Sequence, residues 1–395
     1  MSWKWVKIKD ICFIHGGNPS PKEEEFASEG IPFIKMKDLG KYHHTTSLEV
    51  IENRIPLELF NSRRFKVIKK GSVIIPRSGS VGLNHRGILA FDSVIVSHIC
   101  ALEIIDDKLV FNKFLYYYLT TIDMVKITKQ TTGLDAITFE DLAQIQIPLP
   151  PLATQKRIAE ILDAADALRR KDQELLKKYD ELAQAIFIDM FGDPVKNEKG
   201  WEVKTIDEVA TKVTDGDHLT PIRSKSGYKL LSCRNVKNGY IDFEAGLDFV
   251  EEDEFKRMFK RCNPEKGDIL VSCSGTIGRV TQIKIDEKFV LVRSAALIKP
   301  DQNSIISTYL EYYLQTDFMQ REMHKSSNTS SQANLFTGPI KALPVLIPSK
   351  NIQEKFAAKI QMLEHAKSMS LKNNGSSSNL FDSLIHKAFK GELVI

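Results

Sequence analysis

The sequence predicts an α+β protein built twice: two similar α/β domains separated by two long antiparallel α-helices in a coiled-coil spacer, with a pseudo-two-fold internal repeat. Three observations predict it. Short β-rich apolar runs fill residues 1–150 and return in 194–348. A long stretch with helical spacing follows each, at 151–193 and at 349–395. The two halves also align block against block.

The alignment is legible by eye. Trp3 faces Trp201, and "WKWVKIKDI" faces "WEVKTIDEV". A glycine turn follows in each half, "HGGNPSP" and "TDGDHLTP". "IPFIKMKDL" then faces "YKLLSCRNV", "KKGSVIIPRSGSVG" faces "EKGDILVSCSGTIG", and "SVIVSHICAL" faces "FVLVRSAALI". Gln155 faces Gln353 at the same separation as the two tryptophans. A duplicated unit of this size presents two similar surfaces to a two-fold partner or to DNA.

Composition sets bounds. At 395 residues, 42% hydrophobic and 27% charged, the chain buries real cores without staples. No run of about 18 apolar residues spans a membrane. "MSWKWVKIKD" has no apolar signal core, so a cytoplasmic location is expected. The five cysteines form no CxxC pair, which points to reduced thiols rather than to zinc or a disulfide framework. A net charge of +4 permits a nucleic-acid partner without arguing for one.

In the first half, "IPFIKM", "SVIIP" and "SVIVSHICALEII" read as strands between Gly, Pro, Asn and Ser clusters. "VFNKFLYYYLTT" reads as an amphipathic helix. "PRSGSVG" lacks the phosphate-loop spacing and reads as a tight turn after a strand. Arg77, Ser78 and Ser80 on that turn are candidate DNA contacts, as are Thr131 and Thr132 in the polar loop "TTGLDAITFEDL". Lys35, Lys37, Arg63, Arg64, Lys66, Lys69 and Lys70 enrich this half in cations. His43 and His44 lack a third ligand and read as surface residues.

Pro148, Pro150 and Pro151 set the start of the central helix. Ile158, Ile161, Ala165, Leu168, Leu175, Tyr179, Leu182 and Ile186 step by threes and fours, skipping Asp172, as a heptad seam does. About 38 residues at ~1.5 Å each give a rod of roughly 55–60 Å. Such a stripe needs a partner helix, and the helix at 349–395 is the natural one. Leu162, Leu176, Ala183 and Phe187 flank the seam as candidates for an external partner.

The second half repeats the strands with "YKLLSC", "GDILVSC" and "KFVLVRSAAL", and "YLEYYLQTDFMQREM" is again helical. "TDGDHLTP" gathers two Asp and one His, but further ligands are lacking and "DG" marks a turn. His218, Thr220, Ser274, Thr276, Arg279, Gln332 and Asn334 are the candidate DNA contacts here, from repeat position. In the last helix "LKNNGSSSN" is a poor helix former, so a kink, a fray, a break or a polar seam is expected there.

No methyltransferase D/N-P-P-Y/F motif, Walker loop, PD…ExK cluster or Ser-His-Asp signature is present, so no catalytic residue and no metal site is nominated. "IPLPPLATQKRIAEIL", "AIFIDMFGDP" and "LIHKAFKGEL", together with the two glycine-turn blocks, resemble the specificity subunit of a type I restriction-modification system. The resemblance spans essentially the whole chain. It implies target-recognition domains at 1–150 and 194–348, each reading half of a bipartite double-stranded DNA target. It implies that the helices set the half-site spacing and dock two N6-adenine methyltransferase subunits, with motor-nuclease subunits joining. S-adenosylmethionine, ATP and Mg belong on those partners, and no cofactor is expected on this chain. Two other readings stand beside it: the recognition part of a split methyltransferase-nuclease, and a duplicated protein scaffold that never touches DNA.

Overall fold

The computed structural model describes residues 3–42, 46–127, 129–131, 134–246, 248–327 and 333–393. His43 and His44 lie outside the described residues. The chain forms two compact units. One comprises residues 1–174 and 371–395, the other residues 175–370.

The units share a topology. In the first, strand Cys12–Gly16 pairs antiparallel with Ile99–Ile104, which pairs with Val73–Pro76, then Gly87–Leu89 and Ser47–Leu48. In the second, Ala210–Asp215, Ala295–Pro300, Ile269–Ser272 and Val280–Gln282 follow in the corresponding order. A three-stranded sheet with one parallel pair accompanies each: Ile31–Ile34 beside Val94–Ile95, and Tyr228–Leu231 beside Phe289–Leu291. A two-stranded ribbon opens each unit in the same register, Lys4 opposite Leu149 and Glu202 opposite Ile347. Local chemistry explains where several predicted strands stop. "IPFIKM" is extended only over Ile31–Ile34, because the Asp38 carboxylate accepts from the Lys35 N–H (2.8 Å) and starts helix Met36–Tyr42. The predicted helix after residue 306 is two helices, Ser307–Leu314 and Asp317–Lys325. The Thr316 hydroxyl caps the second by accepting from the Met319 N–H.

The central helix runs Leu152–Phe191 and the last helix Lys350–Lys390, unbroken through "LKNNGSSSN". The helix neither frays nor breaks there. Ser376 and Ser377 donate to the carbonyls of Lys372 and Asn374 (3.0 and 3.1 Å), so their hydroxyls are satisfied within the helix.

Each unit packs half of each long helix against one short aromatic helix. In the first unit Phe381 meets Tyr117 (ring centroids 6.2 Å apart), Phe389 meets Phe114 and Tyr118 (5.2 Å each), and the Arg169 guanidinium lies over Phe381. In the second, Phe187 and Phe191 of the central helix enclose Tyr309 (5.8 and 4.7 Å), and both meet Phe356 of the last helix (5.6 and 5.2 Å). In each unit, then, one helix's N-terminal half joins the other's C-terminal half, which is an antiparallel arrangement.

This packing reverses part of the predicted seam. Leu162 and Phe187 are wholly buried and Ala183 nearly so, whereas Leu168, Leu175 and Leu182 are each more than 40% exposed. Leu176 is half-buried. The seam divides: Ile158 and Ala165 are buried as expected, while Leu168, Leu175 and Leu182 sit about 80–120° round the helix from Ile158 at ~100° per residue, off the packed face. Leu162, Ala183 and Phe187 are therefore core residues and offer nothing to an outside partner. We expect Phe187→Ala to lower unfolding free energy by about 3–5 kcal/mol and Leu182→Ala by under ~1 kcal/mol, measured by chemical denaturation. Equal costs would contradict this orientation.

Candidate nucleic-acid interface

In the first unit the site begins where strand Val73–Pro76 ends. The Arg77 N–H donates to the His98 carbonyl (2.8 Å), and the Arg77 carbonyl accepts from the Ile137 N–H (2.9 Å). Ser78 bridges to Ala136, and its hydroxyl meets His98 Nδ1 at 2.7 Å. These bonds fasten the turn to the hairpin Lys129–Thr131/Leu134–Ala136, so Ser78 and the strand carrying Thr131 come together. The Arg77 guanidinium stacks 5.0 Å from the Phe139 ring centroid, and its buried Nε has no hydrogen-bond partner. Gly79 takes φ +85° with open space around it, so backbone conformation rather than crowding calls for glycine there. Ser80 precedes the short turn Val81–Leu83 and is half-buried.

The second unit builds the same joint with other side chains. The Cys273 N–H donates to the Ser294 carbonyl (2.8 Å) and the Cys273 carbonyl accepts from Leu335 (2.8 Å). Ser274 bridges to Asn334 as Ser78 does to Ala136. The Ser274 hydroxyl points to Cys233 Sγ (3.7 Å), and the Ser294 hydroxyl accepts from the Cys233 N–H (3.1 Å). Thr276 is exposed, and Arg279 is half-buried on the same turn. Thr132 and Gln332 lie outside the described residues.

His218 and Thr220 belong to a separate loop. His218 Nε2 meets Asp215 at 2.6 Å, and Arg261 reaches both Asp215 (2.8 Å) and His218 (3.1 Å). Arg257, one helical turn earlier on helix Glu252–Arg261, pairs with Asp217 and holds Glu254 in a two-pronged contact (2.8 and 2.9 Å). That guanidinium keeps the Glu254 carboxyl down at about 2, and Glu254 in turn accepts from the Ile222 N–H (3.1 Å). Thr220 is exposed. Among the described residues no hydrogen bond ties His218 or Thr220 to the Ser274–Arg279 turn.

The two glycine loops enter their sheets alike. Asn18 donates its N–H to the Ile95 carbonyl, as Asp217 does to Leu291 (2.8 Å each). The preceding glycines are forced by space: a Cβ on Gly17 would lie 2.0 Å from the Val96 oxygen, and one on Gly216 2.3 Å from the Leu291 oxygen.

Much of the cationic cluster in the first unit is neutralised. Lys35 pairs with Glu23 (2.8 Å), Lys69 with Glu103 (2.7 Å), and Arg63 with Glu25, while Lys66 meets His15 (2.8 Å). The side chains of Lys37, Arg64 and Lys70 make no ion pair among the described residues and remain available to an anion, although Glu23, Asp38 and Glu52 lie near enough to Lys37 to feel its charge and the Lys70 N–H donates to Asp92. The thiols of Cys12, Cys100, Cys262 and Cys273 are buried and pushed up to about 12 by that burial, which makes them inert packing groups. No group of three or more His, Cys, Asp or Glu able to hold a metal occurs among the described residues. Nor, among those residues, is any helix long and apolar enough to cross a membrane.

A family model described as type I restriction modification DNA specificity domain matches the chain twice, over residues 1–178 and 198–374. The chain belongs to that family. It is a specificity chain, not a catalytic one. It is 24% identical to the EcoBI specificity subunit of Escherichia coli, over 99% of this chain and 86% of that one. It is 25% identical to the MjaIX specificity subunit of Methanocaldococcus jannaschii, over 99% and 93%. The fold is like that of a type I S subunit from M. genitalium, with TM-score 0.57, 16% identity, and 98% and 96% of the two chains covered. Sequence reading of this specificity chain missed His98, Phe139 and Cys233, which shape the turns from neighbouring strands and loops. The aligned blocks carried a signal for the first, since His98 stands opposite Ser294. We expect Gly216→Ala to unfold or strongly destabilise the second unit, because backbone cannot yield to the new Cβ. Limited proteolysis showing a second unit as resistant as the parent's would refute this.

Proposed function

We propose that this chain reads a bipartite double-stranded DNA target, one half-site per unit, for a type I restriction-modification complex. The duplicated joint carries the reading: the same turn, bridged to the corresponding neighbouring segment, returns in each unit with partly different side chains around it. Ser78, His98 and Arg77 occupy one, and Ser274, Ser294 and Cys273 the other. Phosphate contacts from unpaired cations such as Lys37 and Arg64 supply affinity and a salt dependence. Side chains at the turn tips supply the sequence code. This chain offers no chemistry of its own to the complex. S-adenosylmethionine serves the methyltransferase subunits, and ATP with Mg serves the motor-nuclease subunits.

In this proposal the two long helices set the spacing between half-sites. A turn of four residues adds about 6 Å, close to two base pairs of B-DNA. Inserting one turn at Asp172, with a matching turn near Ser370, is expected to change the spacer length recognised while both half-sites stay the same. Base-resolution mapping of methylated adenines in cells carrying the variant with its methyltransferase reads this directly; altered half-sites at an unchanged spacer would sink the ruler.

The methyltransferase subunits, two per complex, dock on the helix faces left open by each unit's own packing. In the second unit these carry Leu175 and Leu182, seven residues apart, and Met362 and Met369, also seven apart. Chains carrying Leu182→Lys and Met362→Lys are expected to fold normally yet to lose co-purification with the methyltransferase subunit. Undiminished co-purification would remove this face from the docking surface.

A further inference from the structure

A concavity of about 300 Å³ lies in the second unit between the Ser274–Arg279 turn and the loops at 233–237 and 245–246. Three cations line it: Arg234, Lys237 and Arg279. The guanidinium groups of Arg234 and Arg279 have no hydrogen bond or ion pair among the described residues; only backbone groups of these two residues are engaged. Lys237 lies 3.7 Å from Asp242, which offsets one of the three charges. The N–H groups of Gly275 and Thr276, on the same wall, have no backbone acceptor among the described residues. Glycine at 246 lets Arg234 lie close, since a Cβ there would stand 3.2 Å from its guanidinium carbon.

The fold does not require this ring of charge. In the first unit Lys37, Gly40 and Leu83 hold the places of Arg234, Lys237 and Arg279. The equivalence is structural as well as sequential. Asp38 accepts from the Lys35 N–H as Asn235 accepts from the Ser232 N–H, at 2.8 Å in both. Beyond that shared turn the first unit continues as helix Met36–Tyr42 where the second forms strand Val236–Lys237, and at these sequence positions the first unit carries one cation and an exposed leucine.

We infer that the concavity seats one phosphate of the DNA backbone, held by Arg279 and Arg234, and so fixes the register of the second unit on its half-site. The inference rests on the DNA reading proposed above and names the part of the duplex this unit grips. A tetrahedral anion accepts from guanidinium, ammonium, hydroxyl and backbone N–H groups alike, whatever the angle of approach. A guanine edge offers a guanidinium two coplanar acceptors, N7 and O6. Here two guanidinium groups, an ammonium and two backbone N–H groups converge from different walls, which suits the several oxygens of a phosphate, and the base readout in cells separates the two. Free phosphate shares the chemistry, and the test separates it.

The complex of this chain with its methyltransferase subunit is titrated with its own target duplex across a salt series. Arg279→Gln is expected to weaken binding several-fold and to lower the slope of log affinity against log salt by about one, with both methylated half-sites unchanged in cells. Arg234→Gln, on an exposed side chain that folding does not use, gives the same reading should Arg279→Gln disturb the turn. An unchanged slope in both variants overturns the pocket, and so does loss of one base from the second half-site, which would mean a base-edge contact. Inorganic phosphate at matched ionic strength is expected to leave the thermal midpoint of the full chain where it was. A saturable rise that Arg279→Gln removes assigns the pocket to the free anion and overturns the backbone assignment. Failure of the unsubstituted complex to prefer any duplex overturns the DNA reading itself, whatever the variants do.

Discussion

Each long helix is aimed by one buried glutamine. Gln155 Oε1 accepts from the Phe111 N–H (2.9 Å), while Nε2 donates to the carbonyls of Leu109 and Pro150 (2.9 Å each). Gln353 does the same with the Ile306 N–H (2.9 Å) and the Pro348 carbonyl (2.8 Å). Both side chains are fully buried. A buried amide left without partners would cost about 1–3 kcal/mol. Here the amide is satisfied only when the helix's first turn stands at one angle to the start of the short aromatic helix, Asn112–Thr120 or Ser307–Leu314. That angle presents Ile158 and Leu162 to the first core, and Phe356 and Ile360 to the second. The aromatic packing around Tyr117 and around Tyr309 follows from it.

Polar contacts hold the second end of the same arrangement. Lys113 and Tyr117 both reach Asp163 of the central helix, at 2.5 and 2.7 Å. In the second unit Lys284 bridges Glu364 of the last helix (2.5 Å) and the wholly buried Glu311 (3.4 Å). Burial pushes the Glu311 carboxyl upward, and the ammonium beside it opposes that rise. The residues differ between the units while the task is the same. Such freedom is what duplicated scaffolds retain: backbone geometry and a few satisfied amides stay fixed, and the pairs that tie helix to domain change. The turns show the same freedom, with Leu83 where the other unit has Arg279 and His98 where it has Ser294.

The fold was legible because repetition reinforced weak local signals. Trp3 with Trp201 and Gln155 with Gln353 marked equivalent points, and both ribbons keep one register at them. The face of the central helix was misread because periodicity gives a repeat length but not a rotation. Leu168, Leu175 and Leu182 satisfy a heptad, yet the cores take Leu162, Ala183 and Phe187. Residue volume was the better guide, since two phenylalanines one helical turn apart, Phe187 and Phe191, bury more apolar surface than any leucine of the stripe. The turn candidates were found by position. Their surroundings were not, because Arg77 is placed by Phe139 and Ser78 by His98, contacts that only the sheet brings about.

The middle of the last helix makes the same point about local and tertiary terms. Residues 371–379 hold three serines, three asparagines and a glycine, costing up to ~1 kcal/mol each relative to alanine in a helix. Left alone, such a stretch would not stay helical. It is helical because both flanks are committed: Phe356 and Ile360 are buried in one unit, Phe381 and Ala388 in the other. Ser370 and Ser377 are themselves buried, and Ser376 and Ser377 spend their hydroxyls on carbonyls of their own helix. Small polar side chains weaken the helix by themselves, and the tertiary packing of its flanks decides the outcome.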